Sequence, residues 1–314
     1  MRVSVLVPTF RRPVDFERCL EALEGQQRIP DEVVVVARTT DEETQAVLAR
    51  WRQKPFLRVA AVVESGQVQA LNSGLDAVTG DIVMITDDDA APHPDWCLRV
   101  AEHFAKDDRL GGVGGRDIVY APEGLLEGYC TVTGKVQPWG RIVGNHHLIA
   151  SRKTEVELLK GANMSYRMSA IGDLRFDTNL RGAGAQVNND MAFSMAVAKR
   201  GWKLLYDPAV QVDHYPAPRH DNDIRGERNL LAVENVAFNT WWTLKRHLHP
   251  GLRRTMALLW ESLIGTAGHP GRLRGWIAQL RRDPTGIAIW AAARSGRNAA
   301  EQAYRQRAAM PGRS

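Results

Sequence analysis

An apolar run followed by three consecutive carboxylates limits the folds that are open to this chain. Residues 81–85 are typical of a buried strand, and Asp87, Asp88 and Asp89 follow almost at once. Open α/β sheets bind ligands at the carboxyl ends of their strands, and adjacent like charges repel unless a cation or a hydrogen-bonding ligand compensates them. The triplet therefore predicts a site for a divalent metal shared with a phosphate. The alternative is a solvated turn that caps the next helix.

Strand and helix patterns alternate at short intervals around this acidic triplet. The predicted strands are residues 3–7, 32–37, 57–63 and 81–85, and the predicted helices lie around residues 16–23, 41–52, 67–78 and 94–106. This order indicates an α/β fold in which a parallel sheet has helices on both faces. Beyond residue 110 the pattern weakens. Residues 111–120 are typical of a glycine-rich approach to another strand, and the segment from there to about residue 151 is a predicted active-site loop or insertion. A helix is predicted over 189–199, and short strands are predicted at 203–206 and 210–214.

Charge divides the 314-residue chain into an acidic body and a basic tail. From residue 241 onward there are 13 Lys and Arg against three Asp and Glu, a net charge of +10, whereas the preceding residues carry −5. The three cysteines fit neither a disulfide framework nor a zinc cluster, and we find neither a signal peptide nor a membrane-spanning apolar run. We therefore expect a cytosolic protein that can associate with the inner face of the cell membrane.

The basic tail, which holds five of the nine tryptophans, has the pattern of four helices at residues 230–248, 252–264, 272–281 and 285–308. Basic amphipathic helices with tryptophan suit the surface of an anionic membrane. The alternative is a helical cap that packs on the body with its arginines outward. No nucleic-acid-binding motif accompanies the charge, so we expect no nucleic-acid partner.

Two residues downstream of the triplet can take part in chemistry. Asp190 begins a predicted helix and is either a general base or an N-cap, although Asn188 and Asn189 could cap equally well. His214 follows a short strand and is either a packed residue or a nitrogen ligand for Mn²⁺ beside carboxylates. The glycine-rich loops that bind ATP or dinucleotides are absent, which favours a nucleotide-diphosphate leaving group over ATP-driven phosphoryl transfer.

Several short motifs follow one another through the first 240 residues. They are Gln69-Ala70-Leu71-Asn72-Ser73-Gly74, Asp87-Asp88-Asp89, Gly114-Gly115-Arg116, Lys160-Gly161-Ala162-Asn163, Asn189-Asp190 and Asp213-His214. The ordered set resembles the family 2 glycosyltransferases, which have the GT-A fold. The resemblance implies a mixed sheet flanked by helices over residues 1–240, with residues 1–115 binding the nucleotide sugar and residues 116–240 the acceptor. Residues 241–314 would form a helical C-terminal extension.

The resemblance also implies a donor and metal site. Asp89 would be the principal ligand of Mn²⁺ or Mg²⁺, His214 would complete the metal site, and Asp87 would contact the metal or the ribose. The implied donor-binding residues are Pro8, Thr9, Arg11, Arg38, Asn72, Asp87 and Asp88. The donor would be a UDP-, GDP- or TDP-sugar.

The later motifs would serve the acceptor, a glycan or a lipid-linked molecule. The implied acceptor-binding residues are Gly161, Ala162, Asn163, Asn189 and Trp139. Asp190 aligns with the catalytic base of the family, which deprotonates an acceptor hydroxyl so that this oxygen attacks the anomeric carbon with inversion. The metal would stabilise charge on the leaving diphosphate.

Three departures from the family pattern bear on specificity. Arg38 stands where the family carries an Asp that contacts the base, Leu71 replaces an Arg, and Asn189 replaces a Glu. The Gln-x-x-Arg-Trp signature of processive synthases is absent. We therefore expect transfer of one sugar at a time, in the synthesis of a cell-surface glycan, a polysaccharide or a glycolipid.

Two alternative functions are a sugar nucleotidyltransferase and a non-catalytic relative that binds nucleotides or glycans. The first should carry a glycine-rich basic loop after the first strand, where Pro8-Thr9-Phe10 stands. The second need not keep Asp89, Asp190 and His214, all of which are present.

Overall fold

The computed structural model describes residues 1–217 and 229–309, and the chain divides into two compact units. The first unit consists of Met1–Lys135, Val143–Phe176 and Phe193–Ala217. The second consists of Val136–Ile142, Asp177–Ala192 and the described residues from 229 onward. The second unit therefore includes three described segments of the predicted body, residues 136–142, 177–192 and 229–240, besides the predicted C-terminal extension.

Strands and helices alternate through the first part of the first unit. They are β1 (Val3–Pro8), α1 (Pro13–Glu24), β2 (Glu32–Ala37), α2 (Glu42–Trp51), β3 (Leu57–Ala61), α3 (Gln67–Ala77), β4 (Ile82–Ile85), β5 (Ala90–Pro92), α4 (Trp96–Lys106) and β6 (Leu110–Ala121). The predicted alternation is thereby confirmed.

Shorter elements follow. They are β7 (Gly124–Leu125), β8 (Tyr129–Cys130), β9 (Lys135–Val136), β10 (Ile142–Val143), β11 (Ile149–Ala150), β12 (Thr154–Val156), β13 (Met164–Arg167), α5 (Met168–Ile171), α6 (Asn189–Lys199) and β14 (Lys203–His214). The prediction of two short strands at 203–206 and 210–214 is wrong, because β14 is continuous. Its register against β6 shifts between Asp207 and Gln211, so the strand passes Pro208 through an irregularity rather than a break.

One mixed sheet organises the first unit, in the strand order β12-β14-β6-β13-β4-β1-β2-β3. The strands β4, β1, β2 and β3 are parallel neighbours, whereas β13 lies antiparallel between β4 and β6. β14 is parallel to β6, and β5 adds to β14 in the antiparallel direction. This mixed α/β sheet with its helices agrees with the predicted fold class.

The apolar strands are continuous runs because both faces of the sheet are covered. Val3, Val5 and Val7 of β1 are buried in a cluster with side chains of α1 and α4. Leu6 of the same strand is buried in a second cluster with side chains of α3 and α6. A strand covered on both faces has no polar side, so its sequence does not alternate.

Gly115 allows β6 and β14 to approach each other closely. A Cβ atom at this position would lie 1.7 Å from the carbonyl oxygen of Val210. The pairing continues to the ends of both strands, where Val212 lies opposite Asp117 and His214 opposite Val119. The glycine-rich stretch thus positions the end of β14, which carries His214.

Four helices make up most of the described second unit. They are α7 (Leu230–His247), α8 (Leu252–Leu263), α9 (Arg272–Leu280) and α10 (Pro284–Ala308). Each agrees with its predicted position to within one residue at either end, and their core includes Phe238, Trp242 and Ala300. Among the helices of residues 1–217 and 229–309, none combines the length and the apolar character needed to cross a membrane.

Candidate active site

The acidic triplet lies in the turn between β4 and β5, at the carboxyl end of β4. β5 pairs with β14 so that Ala90 lies opposite His214, which places the imidazole beside Asp89. The backbone carbonyl of Asp89 accepts a hydrogen bond from the N–H of Tyr215 at 2.9 Å, and its carboxylate accepts one from the N–H of Ala217 at 2.9 Å. Backbone pairing therefore connects two segments that are far apart in sequence.

Asp87, Asp89 and His214 converge at this point. One potential ligand atom from each lies within 4.8 Å of the others. Asp89 and His214 are buried, with 2% and 5% of their surface exposed. Nε2 of His214 faces Oδ1 of Asp89 at 3.2 Å, yet neither atom has a partner of hydrogen-bond geometry among the described residues. Buried polar atoms without hydrogen bonds are costly, and this oxygen and nitrogen set suits a divalent metal.

A third carboxylate holds the other side of the imidazole. Nδ1 of His214 lies 2.9 Å from Oδ1 of Asp117, which is fully buried, and Nζ of Lys160 contacts the other oxygen of Asp117. A carboxylate at one ring nitrogen fixes the tautomer and leaves the second nitrogen for a metal. Asp117 is not among the residues predicted from the sequence, where its one signal is its position directly after Gly114-Gly115-Arg116.

Arg12 compensates part of the negative charge. Its Nη1 lies 2.8 Å from Oδ1 of Asp88 and 3.4 Å from Oδ2 of Asp89. The predicted donor-binding residue is the neighbouring Arg11, whose backbone N–H donates to the carboxylate of Asp41 at 2.6 Å. The protein thus provides a cation of its own beside two of the three clustered carboxylates.

Burial and mutual repulsion perturb the charged groups. Burial, and then the charge of Asp89, raise the pKa of Asp87 to about 6. Burial would also raise the pKa of Asp89, but His214 and Arg12 outweigh it, and the pKa is lowered. Burial would lower the pKa of His214, whereas contacts with Asp117 and Asp89 raise it to about 10. Clustered, buried carboxylates of this kind favour the binding of a cation.

Four predicted donor-binding residues lie at or just after the carboxyl ends of β1 and β2. Pro8 ends β1, and Thr9 is buried beside it. The guanidinium groups of Arg38 and Arg11 lie 4.5 Å and 5.1 Å from the centroid of the Phe10 ring. A ring with two cations at the carboxyl end of β1 can contact a planar or anionic ligand group.

Two predicted binding residues make hydrogen bonds within the fold. Nδ2 of Asn72 donates to the carbonyl of Phe176 at 3.0 Å, and its Oδ1 accepts from the N–H of Phe176 at 2.8 Å. Asn163 is fully buried, where Nδ2 donates to the carbonyl of Val210 at 3.0 Å and Oδ1 accepts from Nε1 of Trp96 at 2.9 Å. Both amides hold the chain in place, and their contacts with substrates stay predictions.

The remaining predicted acceptor and catalytic residues belong to two places. Gly161 and Ala162 precede β13 in the first unit, whereas Asn189, Asp190 and Trp139 belong to the second. The carboxylate of Asp190 accepts the N–H of the next residue at 2.7 Å, in the first turn of α6. Trp139, between β9 and β10, is 48% exposed. The catalytic and acceptor-binding roles stay predictions.

Comparison with known families decides the affiliation of the chain. The model of the family described as Glycosyl transferase family 2 matches residues 4–175, more than half of the sequence. The chain belongs to glycosyl transferase family 2. The family predicted from the ordered motifs is confirmed, and with it the class of enzyme, a glycosyltransferase.

Two curated relatives show how far the likeness extends. A glucosyl-dolichyl phosphate glucuronosyltransferase of Haloferax volcanii is 25% identical over 230 residues, which cover 68% of this chain and 69% of that protein. A poly-beta-1,6-N-acetyl-D-glucosamine synthase of Staphylococcus aureus is 23% identical over 181 residues, which cover 56% of this chain. The second match spans 41% of the synthase, so less than half of that protein is represented.

Two solved structures share the fold. S. aureus TarS 1-349, in complex with UDP-GlcNAc, has a TM-score of 0.61 at 17% identity and covers 98% of this chain and 92% of its own. The mannosyltransferase PcManGT from Pyrobaculum calidifontis, in complex with GDP-Man and Mn²⁺, has a TM-score of 0.58 at 20% identity and covers 99% and 81%. At these identities the likeness establishes the fold, and it confirms the predicted GT-A architecture.

Proposed function

We propose that this protein is a metal-dependent, inverting glycosyltransferase that moves one sugar at a time from a nucleotide-diphosphate sugar to a hydroxyl group. The observation that carries the proposal is the convergence of Asp87, Asp89 and His214 within 4.8 Å, beside the carboxyl end of β4. Ligands of open α/β sheets bind at the carboxyl ends of the strands. Membership of family 2 supplies the class of reaction.

Mn²⁺ or Mg²⁺ is the cofactor that these residues suit. Carboxylate oxygens bind either ion, and the imidazole nitrogen of His214 favours Mn²⁺. The Mn²⁺ in the related mannosyltransferase structure supports this choice. When bound, the ion would neutralise charge on the diphosphate of the donor. Asp117 and Lys160 orient His214 so that its Nε2 faces Asp89.

A UDP-, GDP- or TDP-sugar is the proposed donor. The two related structures hold UDP-GlcNAc and GDP-Man, which supports a nucleotide sugar without selecting the base. In this chain Phe10 offers a ring for a planar base, and Arg11 and Arg38 beside it offer positive charge for phosphates or for an acidic sugar.

Asp190 is the proposed general base. It lies in the first turn of α6, where the helix dipole stabilises the carboxylate form that can accept a proton. The proton of the acceptor hydroxyl passes to Asp190 as the hydroxyl oxygen bonds to the anomeric carbon. The bond to the nucleoside diphosphate breaks on the opposite face, so the configuration inverts.

The proposed acceptor is a glycan or a lipid-linked molecule at the cytoplasmic face of the membrane, in the synthesis of a cell-surface glycan, polysaccharide or glycolipid. The Haloferax relative is named for a dolichyl phosphate substrate, which supports a lipid-linked acceptor. The basic helices of the second unit supply positive charge that an anionic membrane would attract.

Thermal melting with nucleoside diphosphates, with and without Mn²⁺, tests the proposal. Wild-type protein should melt at a higher temperature when Mn²⁺ and the matching nucleotide are both present, because ligand at about 100 times its Kd adds about 2.7 kcal/mol of stability. The variant Asp89→Asn should lose the Mn²⁺-dependent part of this shift. The matched control Asp108→Asn, at an exposed position, should keep it.

Three outcomes would contradict the proposal. One is the absence of a Mn²⁺-dependent shift with every nucleotide, and another is an undiminished shift in Asp89→Asn. The third is formation of a nucleotide sugar from a sugar phosphate and a nucleoside triphosphate, which would identify a sugar nucleotidyltransferase. Release of nucleoside diphosphate with a glycosylated product supports transfer.

A further inference from the structure

Helix α9 exposes its large apolar side chains. Leu273, Trp276, Ile277 and Leu280 are 43%, 56%, 48% and 85% exposed. Their positions, i, i+3, i+4 and i+7, place them on one face of the helix. Such a stripe normally faces the core of a globular domain, so the orientation of α9 is the reverse of the usual one.

Small residues hold the opposite face against α10. Gly275 and Ala278 are the buried residues of α9. A Cβ atom at Gly275 would lie 2.5 Å from the Trp290 ring, and one at Gly286 would lie 3.0 Å from Cβ of Ala278. Turning the apolar stripe inward would force leucine and tryptophan side chains into this close contact. The outward orientation is therefore a consequence of the packing.

Arginines flank the exposed stripe on both sides. At about 100° per residue, Arg272 lies on one side of the stripe, and Arg274 and Arg281 lie on the other, each roughly a quarter turn from its centre. All three are exposed, and residues 271–282 contain no Asp or Glu. A helix in the plane of an anionic bilayer has this arrangement, with apolar side chains among the acyl chains and arginines at the phosphates.

Helix α8 of the same unit carries a second exposed apolar row. Leu252, Leu259 and Leu263 are 78%, 47% and 40% exposed, and their spacing also places them on one helical face. Contiguous exposed apolar surface on a protein commonly marks an interaction site. Two neighbouring helices of one unit thus both expose an apolar row.

We propose that α9, with α8 beside it, is a docking surface for an anionic lipid bilayer. The charge distribution favours a lipid bilayer over a second copy of the chain. Lipid phosphates complement the arginines around the stripe, whereas a second copy placed face to face would oppose arginine to arginine. The inference rests on the proposed function, because binding at a bilayer would bring the enzyme to a lipid-linked acceptor. Its test requires no sugar donor.

Sedimentation of the full chain with lipid vesicles tests the proposal. The vesicles contain phosphatidylcholine alone or an equal mixture of phosphatidylcholine and phosphatidylglycerol. We compare wild type with Trp276→Ser/Leu280→Ser and with Arg272→Gln/Arg274→Gln. The matched control is Tyr129→Ser, which removes an 85% exposed aromatic ring from the first unit. Because all of these side chains are exposed, the variants should fold, and circular dichroism would check that they do.

Wild type and Tyr129→Ser should sediment with the mixed vesicles and much less with phosphatidylcholine alone. Each arginine contributes about fivefold to partitioning, so the arginine variant should bind about 25-fold more weakly. The apolar variant should lose about tenfold or more, and salt should weaken wild-type binding.

Failure of wild type to bind the mixed vesicles, or equal binding by wild type and both α9 variants, would overturn the proposal. Sedimentation equilibrium tests whether a second copy binds this surface instead. That would be the case if wild type formed a dimer and did not bind vesicles, and if Trp276→Ser/Leu280→Ser were a monomer. Because no nucleotide is present in this assay, failure to bind vesicles would not count against the proposed sugar transfer, which thermal melting tests separately.

Discussion

Glu32 offers the clearest measurable link between a buried charge and stability. Its side chain is 2% exposed and accepts hydrogen bonds from Ser4 Oγ at 2.5 Å, from the N–H and Oγ1 of Thr79 at 2.5 Å and 2.9 Å, and from Arg58 at 2.7 Å. Burial alone would raise the pKa of Glu32, but these donors outweigh it and lower the pKa from the ordinary 4.5 to about 2. The ionised form is therefore the one that the fold stabilises.

The contribution of Glu32 to stability follows from the lowering of its pKa. A pKa lowered from 4.5 to about 2 corresponds to about 3 kcal/mol at neutral pH. Arg58 and Arg2, the cations beside the carboxylate, are 49% and 53% exposed, so solvent screens their contribution. We therefore expect Glu32→Gln to lower the free energy of unfolding by about 2 kcal/mol at pH 7.

The sign of the pH dependence is also determined. Because the pKa is lower in the folded state, the contribution is fully present above pH 4.5 and is lost as the pH falls towards 2. Wild type should lose about 1 kcal/mol of it between pH 7 and pH 4. Glu32→Gln should lack this component, and the matched control Glu64→Gln, at an exposed position, should behave as wild type.

Urea denaturation followed by circular dichroism at pH 7, 5 and 4 measures these differences. Glu32 begins β2, at the amino ends of the parallel strands, whereas the acidic triplet lies at the carboxyl end of β4. Mn²⁺ binding by the variant should therefore be unchanged. Equal stability of Glu32→Gln and Glu64→Gln at every pH would refute the reasoning.

Three further predictions concern the site and the strand pair that supports it. Asp190→Asn should lower turnover by about 10² to 10⁴ while Mn²⁺-dependent nucleotide binding persists, and near wild-type transfer would contradict its role as the base. Arg12→Met should lower the melting temperature without metal, because it removes the guanidinium that bridges two carboxylates, and Mn²⁺ should recover more stability in the variant than in wild type. Gly115→Ala should cost about 1–3 kcal/mol in urea denaturation, because its Cβ would collide with the carbonyl of Val210, and Gly144→Ala, with no atom nearer than 3.9 Å, should be close to neutral.

The strands and helices of the first half of the fold could be predicted because each is specified by the residues within it. Continuous apolar runs such as Val33 to Val36 specify strands buried on both faces, and the intervening helices show their own periodicity. The acidic triplet directly after β4 specified where a ligand site would lie, since carboxyl ends of parallel strands face one edge.

The surroundings of His214 depended on pairing that no local pattern reveals. Asp117 is 97 residues away and meets the imidazole through the alignment of β6 with β14, which the close approach at Gly115 permits. Arg12 reaches Asp88 across 76 residues for a similar reason. Sequence alone therefore identified the metal-ligand candidates, whereas the charges that orient and balance them emerged from the tertiary structure.

The basic tail shows the same division. Periodicity in the sequence located the helix that became α9, and composition showed arginines and tryptophan within it. Which face of that helix would be buried depended on Trp290, a residue of another helix, lying against Gly275. A period of 3.6 residues determines that a helix has two faces, but packing between elements decides which of them meets solvent.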